Sequence, residues 1–388
     1  MRILDLRART VEISRYADPT IPSGGLTTTI VAALTDSRRD GRPIVGFGFS
    51  SIGRFGSTGL IVDRFAPRLL AAKSDELAGA NGQELDPFRA WDCLMKEEKA
   101  GGHGERGVAV GTLDMALWDA AAKMEAVPLW YLLQSRLGRA SHQTAVPVYA
   151  GGGYYFPTRE IERLTDEIKG FLDSGYTAIK IKIGGQELRQ DAVRIEAALR
   201  LLPEEGTLAV DAMNRYSREG AIEASRVLQP YRLRWFEDAV DPLDFEAHKE
   251  LAGAYPLPLA VGEATFSRED ARNLLRYAGL RRATDRLIFD PVHCYGVPGY
   301  LKILELFEKD GWSREAFYPH GGHLFSLHIA AGLGLGGTEA NPRIFQPFGG
   351  FADGAAVVAG AITLPDAPGI GFETRKELMN LFQTLLLG

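Results

Sequence analysis

The chain reads as an α/β protein, a (β/α)8 barrel with an α+β capping domain. Three observations predict this. From about Val146 onward, short apolar strands alternate with amphipathic helices, the pattern of parallel β–α units. Polar residues close successive strands at Lys182, Asp211, Glu237, Glu263, Asp290 and His320, 26 to 30 residues apart, and one β–α unit takes about 30 residues. The Val146 strand before this series and the Glu339 region after it bring the count to eight. A barrel carries its site at the C-terminal ends of such strands. A doubly wound sheet is the alternative arrangement of the same units.

The elements follow in order. Leu26 to Leu34 and Pro43 to Phe49 are β-rich runs separated by a charged turn, Asp36 to Gly41. Val108 to Lys123 has helical periodicity, and Pro128 restarts a short helix over Leu129 to Leu133. Val146 to Ala150 is a strand ending in three glycines. Ile161, Leu164, Ile168, Phe171 and Leu172 mark a helix face, with Thr158 as N-cap and Gly175 as stop. Ala178 to Gly184 alternates as a strand, Leu188 to Leu202 is helical, and Leu208 to Asp211 is the next strand. Gly332 to Gly337 matches GxGxxG, but no βαβ context precedes it. Those glycines are expected to keep a loop close to the substrate.

Composition narrows the function classes. The 388 residues are 45% hydrophobic and 24% charged, which excludes a disordered or fibrous chain. A net charge of -6 lacks the basic footprint of a nucleic-acid or anionic-membrane binder. Two cysteines, Cys93 and Cys294, make no disulfide framework and point to a reducing compartment. The first residues do not read as a signal peptide, and no run reaches the ~18 apolar residues of a membrane span. The expectation is a cytoplasmic protein without nucleic-acid or membrane partners.

The strand ends carry the chemistry. Asp211, Glu237 and Glu263 would meet at one rim of a barrel and repel one another unless a cation sits among them. Oxygen-only ligands favour a hard cation, Mg²⁺ over Zn²⁺. Lys180 and Lys182 share one strand face, while Ile179, Ile181 and Ile183 take the other. At a polar barrel mouth, the partner lysine and a nearby cation would lower a lysine's pKa towards that of a base. Asp290 and His320 end neighbouring strands, so Asp290 can orient the imidazole. Glu339 accepts a hydrogen bond from His320 or substrate, or is a loop acid. A zinc pair of His320 and His323 is disfavoured, because no cysteine joins them.

Together these features resemble the enolase superfamily, in its mandelate racemase branch. The resemblance rests on Lys180-Ile181-Lys182, the Asp211/Glu237/Glu263 series, the Asp290/His320 pair and the helix Val110 to Lys123. It covers essentially the whole chain. It implies a capping domain over residues 1–142, a barrel over 143–360 carrying one Mg²⁺, and a tail, 361–388, returning to the cap. Within the branch, Glu98 to Arg106, Tyr149 to Tyr155, Asp270 to Tyr277 and Pro319 to His323 look most like the D-tartrate dehydratase family. The chain departs from that pattern at Met213, at Val292-His293-Cys294 and over Asp18 to Gly25.

The resemblance implies a hydro-lyase for a small dihydroxy acid or acid sugar, assembled as a homo-oligomer. Lys182 would be the base and His320 the acid that protonates the departing β-hydroxyl. Lys180 would offset the carboxylate's charge, with Asp290 supporting His320. Lys99 and Arg54 would hold the far end of the substrate, and Tyr155, Glu339 and His323 are further substrate-binding candidates. The same Lys/His pair serves an epimerase or racemase, and the residues do not separate the two outcomes. A non-catalytic metal-binding barrel would be expected to lose Lys182 or His320, and both are present.

Overall fold

The computed structural model describes residues 1–79, 84–138 and 145–387. The N-terminal part begins with an antiparallel sheet in the order β1 (Ile3–Glu12), β2 (Thr27–Arg39), β3 (Arg42–Phe49). Three short helices follow: α1 (Ala66–Ala71), α2 (Ser74–Leu77) and α3 (Pro87–Met95). Then come the long α4 (Glu105–Glu125) and α5 (Leu129–Arg136). The sequence reading missed β1, because its outward residues are charged and its alternation is diluted.

Helix α4 is buried on every side from Gly107 to Ala122, as a helix apolar all round should be. It ties the cap to the rest of the molecule. On one side Asp119 accepts the amide of Phe47 at 2.9 Å and that of Ile370 at 2.8 Å. On the other, Asp114 accepts the amide of Val297 at 2.7 Å. Gly111 makes a close approach there, since a Cβ would lie 2.0 Å from the Val292 carbonyl oxygen.

The barrel strands are β4 (Ala145–Gly151), β5 (Ala178–Lys182), β6 (Thr207–Asp211), β7 (Phe236–Glu237), β8 (Leu259–Val261) and β9 (Arg286–Leu287). Each is parallel to the next. Phe317 continues the order by a parallel bridge to Leu287, and the Gly336 amide bonds its carbonyl at 3.1 Å. The last strand, β10 (Thr338–Ala340), pairs in parallel with β4 and closes the ring.

Between the strands run α6 (Glu160–Asp173), α7 (Leu188–Leu199), α8 (Arg218–Leu228), α9 (Phe245–Ala254), α10 (Arg268–Tyr277), α11 (Gly296–Lys309) and α12 (Leu324–Leu333). Arg159, not Thr158, caps α6, in a left-handed conformation and without a side-chain bond.

The barrel interior explains why the site sits high in it. Tyr149, Ala178, Ala209, Trp235, Ala260 and Ile288 form a separate buried apolar cluster. Ala178, Ala209, Trp235 and Ile288 stand two residues before Lys180, Asp211, Glu237 and Asp290, so each pair shares a strand face. Large and small side chains interleave, with the Tyr149 and Trp235 rings edge to face at 5.0 Å. The lower barrel is therefore packed solid, and the polar residues lie above that plug.

After β10, a hairpin of β11 (Val357–Val358) and β12 (Ala361–Thr363) pairs antiparallel with the start of β4. This hairpin crosses the boundary expected at 360/361. The remaining tail lies against the cap. The Trp130 indole donates to the Pro365 carbonyl at 2.8 Å, and Phe382 in α13 (Lys376–Gln383) stacks on Phe47 at 5.0 Å. We propose a division just after β12. The boundary expected at 142/143 lies outside the described residues. GxGxxG serves the bottom of the barrel: Gly334 ends α12 with φ +64, and a Cβ on Gly337 would meet the Pro147 carbonyl. That is the end of β4 away from the site, so these glycines do not approach substrate. Among the described residues, no helix is long and apolar enough to cross a membrane.

Candidate functional site

Asp211 and Glu237 end adjacent strands, in register with each other. Glu263 follows β8 after Gly262, whose φ of +133 is one that L side chains rarely adopt. The three carboxylates each present an oxygen within 4.8 Å of the others. Asp211 and Glu237 are fully buried. The Met213 amide and the Trp235 indole each donate to one of them, at 2.8 Å to Asp211 and 2.7 Å to Glu237.

Two buried lysines face this cluster. Lys180 Nζ touches Glu237 and lies 3.0 Å from Glu339 and 3.3 Å from Asp211. Lys182 Nζ contacts Asp211. Burial and the neighbouring acids push the Glu237 carboxyl up to about 8, despite Lys180. Burial opposes the charge on Lys182, but Asp211 and Tyr154 outweigh it and hold this lysine above its ordinary range. Asp211 is its direct partner here.

Asp290 uses both oxygens. Oδ1 accepts the amides of Val292 at 2.7 Å and His293 at 3.2 Å, which fixes the turn. Oδ2 takes the Ser51 hydroxyl at 2.6 Å and pairs with His320 Nδ1 at 2.8 Å. Nε2 of His320 then lies 3.2 Å from Glu263. Burial disfavours an imidazolium here, but Glu263, Asp290 and Glu339 prevail and push His320 up to about 9. Asp290, His293 and His320 are also close enough to hold a metal, although His320 Nδ1 already spends its bond on Asp290.

Lys182, His320, Glu263, Glu339 and Arg54 all line one cavity of about 270 Å³. Lys180, Asp211, Glu237 and Asp290 lie behind it, in the contacts given above. Three other sequence candidates sit elsewhere. Lys99 is exposed and lines a different cavity, beside His103, Arg106 and Tyr295. Tyr155 turns away, its hydroxyl donating to Asp191 at 2.6 Å. His323 is buried as the N-cap of α12, accepting the Ser326 amide at 3.3 Å and lying 3.0 Å from Ser51 Oγ. Burial lowers it to about 4, so it braces Ser51 as a neutral ring.

The family follows from a comparison with known proteins. Residues 163–378 match the model of the enolase C-terminal domain-like family. The chain belongs to that family. Among curated relatives, it is 28% identical over 351 residues to the L-talarate/galactarate dehydratase of Salmonella typhimurium, covering 90% of this chain and 82% of that protein. It is also 28% identical to the arabinonate dehydratase of Saccharolobus solfataricus, covering 76% and 77%. The solved L-talarate dehydratase of Polaromonas sp. JS666, complexed with Mg and L-glucarate, superposes with a TM-score of 0.73 at 26% identity, over 95% and 94%. A racemase structure from Streptomyces coelicolor, with bound magnesium, gives 0.75 at 25% identity, over 97% and 99%.

This enolase-superfamily chain places further residues at the site that sequence reasoning did not nominate. Ser51 comes from the cap, in a left-handed backbone conformation, and no motif marks it. Arg15, Tyr154, Arg215 and Asn341 line the cavity. Tyr154 carried a signal, since it follows the glycines that end β4. Met213 also lines the cavity, at φ +50 beside Asn214 at φ +57. Two successive non-glycine residues in that region store strain, which the Asn214 side chain offsets by donating to the Val240 carbonyl at 2.8 Å.

Proposed function

We propose that this protein is a Mg²⁺-dependent dehydratase of an acid sugar, converting a 2,3-dihydroxy carboxylate to a 2-keto acid. The observation that carries this reading is the single cavity shared by Lys182, His320 and the edge of a three-carboxylate cluster. Acid-sugar dehydratases among the relatives support it. Asp211, Glu237 and Glu263 fit a hard divalent cation: all donors are oxygen, and their mutual repulsion is what a cation would relieve. When bound, the cation would stabilise negative charge developing on the substrate carboxylate.

Lys182 takes the α-proton at Nζ; a cation held by Asp211 would draw that carboxylate away from the lysine. The electron pair left on the α-carbon expels the β-hydroxyl. His320 delivers the proton from Nε2, and water leaves. Asp290 holds Nδ1 and so fixes which nitrogen faces the cavity. Lys180 offsets the charge of Glu237 and Glu339. The enol then gains a proton on carbon and gives up its hydroxyl proton to water, leaving the keto acid. A D-tartrate-like acid is one substrate of this class.

Proton NMR in D₂O with Mg²⁺ and a panel of acid sugars, including all three tartrates, tests the proposal. A vanishing substrate with a new keto-acid signal is expected. Lys182→Ala and His320→Asn should each abolish it while Mg²⁺ still binds. Full activity in either variant refutes the assigned roles. Deuterium incorporation with a stereoisomer appearing, and no water lost, would make the enzyme an epimerase.

A further inference from the structure

We infer that the cavity selects a dianion: an acid sugar with one carboxylate at the Asp211–Glu237–Glu263 end and a second anionic group met by Arg15, Arg54 and Arg215. This rests on the dehydratase reading and names the substrate class for that site. All three arginines line the same cavity of about 270 Å³. Among the described residues, none of the three has an ion pair with a carboxylate. Nearby arginines are paired: Arg163 with Asp18 at 2.8 Å, Arg64 with Glu98 at 2.7 Å, Arg68 with Glu98 at 2.8 Å.

Glu105 feels the charge of Arg54 and Asp191 that of Arg215, but neither forms an ion pair with it among the described residues. Arg54 sits over the Phe266 ring at 4.6 Å and Arg15 over the Tyr154 ring at 5.7 Å. A Cβ on Gly185 would meet the Arg215 guanidinium and the Tyr155 ring together. Stacking orients a guanidinium while leaving its N–H fork free, the arrangement suited to bidentate recognition of carboxylate or phosphate.

The acids that share the cavity do not neutralise them. Glu339 is 3.0 Å from Lys180, and Glu263 is 3.2 Å from His320. Arg15 is also held in place. The carbonyl of Ser14 takes the Phe345 amide at 2.7 Å, and the Tyr16 hydroxyl donates to the Tyr155 carbonyl at 2.9 Å. The segment that carries Arg15 is thereby fastened to the barrel on both sides of it. The cavity is at the small end for ligand sites. A short acid sugar anchored at the carboxylate cluster therefore extends into the field of these cations. A neutral hydroxymethyl terminus would leave these cations without an ion-pair partner, whereas a second anion provides one.

The test uses the Mg²⁺-loaded protein and matched acids: glucarate and the tartrates as diacids, gluconate and arabinonate as monoacids, and 6-phosphogluconate. Turnover by NMR and binding by calorimetry are read for each. The wild-type protein is expected to favour dianions over monoacids by about tenfold or more, the scale of one charge-assisted pair. The gap should shrink in Arg15→Gln, Arg54→Gln and Arg215→Gln. Preference for 6-phosphogluconate identifies phosphate as the second group, and preference for glucarate or tartrate identifies carboxylate. Equal use of monoacids and diacids by the wild type overturns the inference and leaves the dehydratase reading intact. Arginine-dependent diacid binding with no proton exchange and no dehydration does the reverse. Failure of every dianion to bind or react overturns the inference, and the wild-type panel alone decides this even where a variant misfolds.

Discussion

Glu167 offers a perturbation whose size follows from the structure. It lies on α6 and accepts the Gly153 amide at 2.9 Å, bracing the glycine segment that leads from β4 to Tyr154 in the cavity. Burial pushes its carboxyl up to about 7 from 4.5, although the Gly153 amide and Arg343 oppose the shift. The folded state therefore holds this proton more tightly than the unfolded chain does. Stability from this proton is fully present below about 4.5 and is lost as pH rises towards 7. A shift of that size corresponds to at most about 3 kcal/mol. The residue keeps some solvent exposure, and screening brings the expected effect to about 1–2 kcal/mol.

Glu167→Gln keeps a carbonyl for the Gly153 amide and removes the ionisation. Its melting temperature should match the wild type near pH 4.5 and exceed it at pH 8 by roughly 2 °C. Thermal unfolding of both proteins across that range, followed by circular dichroism, is the assay. A constant difference between them from pH 4.5 to 8 refutes the reasoning, because it would mean that Glu167 titrates alike in both states.

Three other outcomes are expected. Glu237→Gln should weaken Mg²⁺ binding at least about tenfold by calorimetry; an unchanged affinity removes Glu237 from the ligand set. Gly111→Ala places a Cβ 2.0 Å from the Val292 carbonyl, and backbone cannot swing aside as a side-chain tip can, so stability should fall by about 1–3 kcal/mol. A melting temperature equal to wild type would show that α4 and the 292 turn are free to part. Lys99→Ala should leave kcat/KM within about twofold, since Lys99 faces a different cavity; a large loss would mean that the cap rearranges to bring it inward.

The barrel was legible because its constraints are periodic. A strand that fills the interior and then opens at the rim must carry an apolar residue two positions before each polar one, and LAVDA, WFED and IFD all do so. The same spacing placed Asp211, Glu237, Glu263, Asp290 and His320 at one end of the barrel, and the structure brings them together. What was not legible depends on meetings between distant segments. Ser51 reaches Asp290 across 239 positions of sequence, and no local pattern marks either as the other's partner. Tyr155, next to Tyr154, shows the converse: the right segment was found, but the side-chain direction depends on packing; the segment of Lys99 lies at a different cavity altogether.

The partners of the two lysines have a similar origin. Alternation puts Lys180 and Lys182 on one face, and that much was readable. Which acid each lysine meets depends on the stagger between β5 and β6, where Lys182 stands opposite Asp211 and Lys180 opposite Ala209. With its tip free of its own strand neighbour, Lys180 reaches further, to Glu237 and Glu339. The two lysines therefore differ in surroundings despite their shared face. Lys180 is locked among three carboxylates away from the cavity. Lys182 lines the cavity and answers to Asp211 alone among the acids it touches. On the proposed dehydratase reading, a cation that drew Asp211 away would remove the partner that holds the Lys182 proton, and the proton affinity of Lys182 would fall.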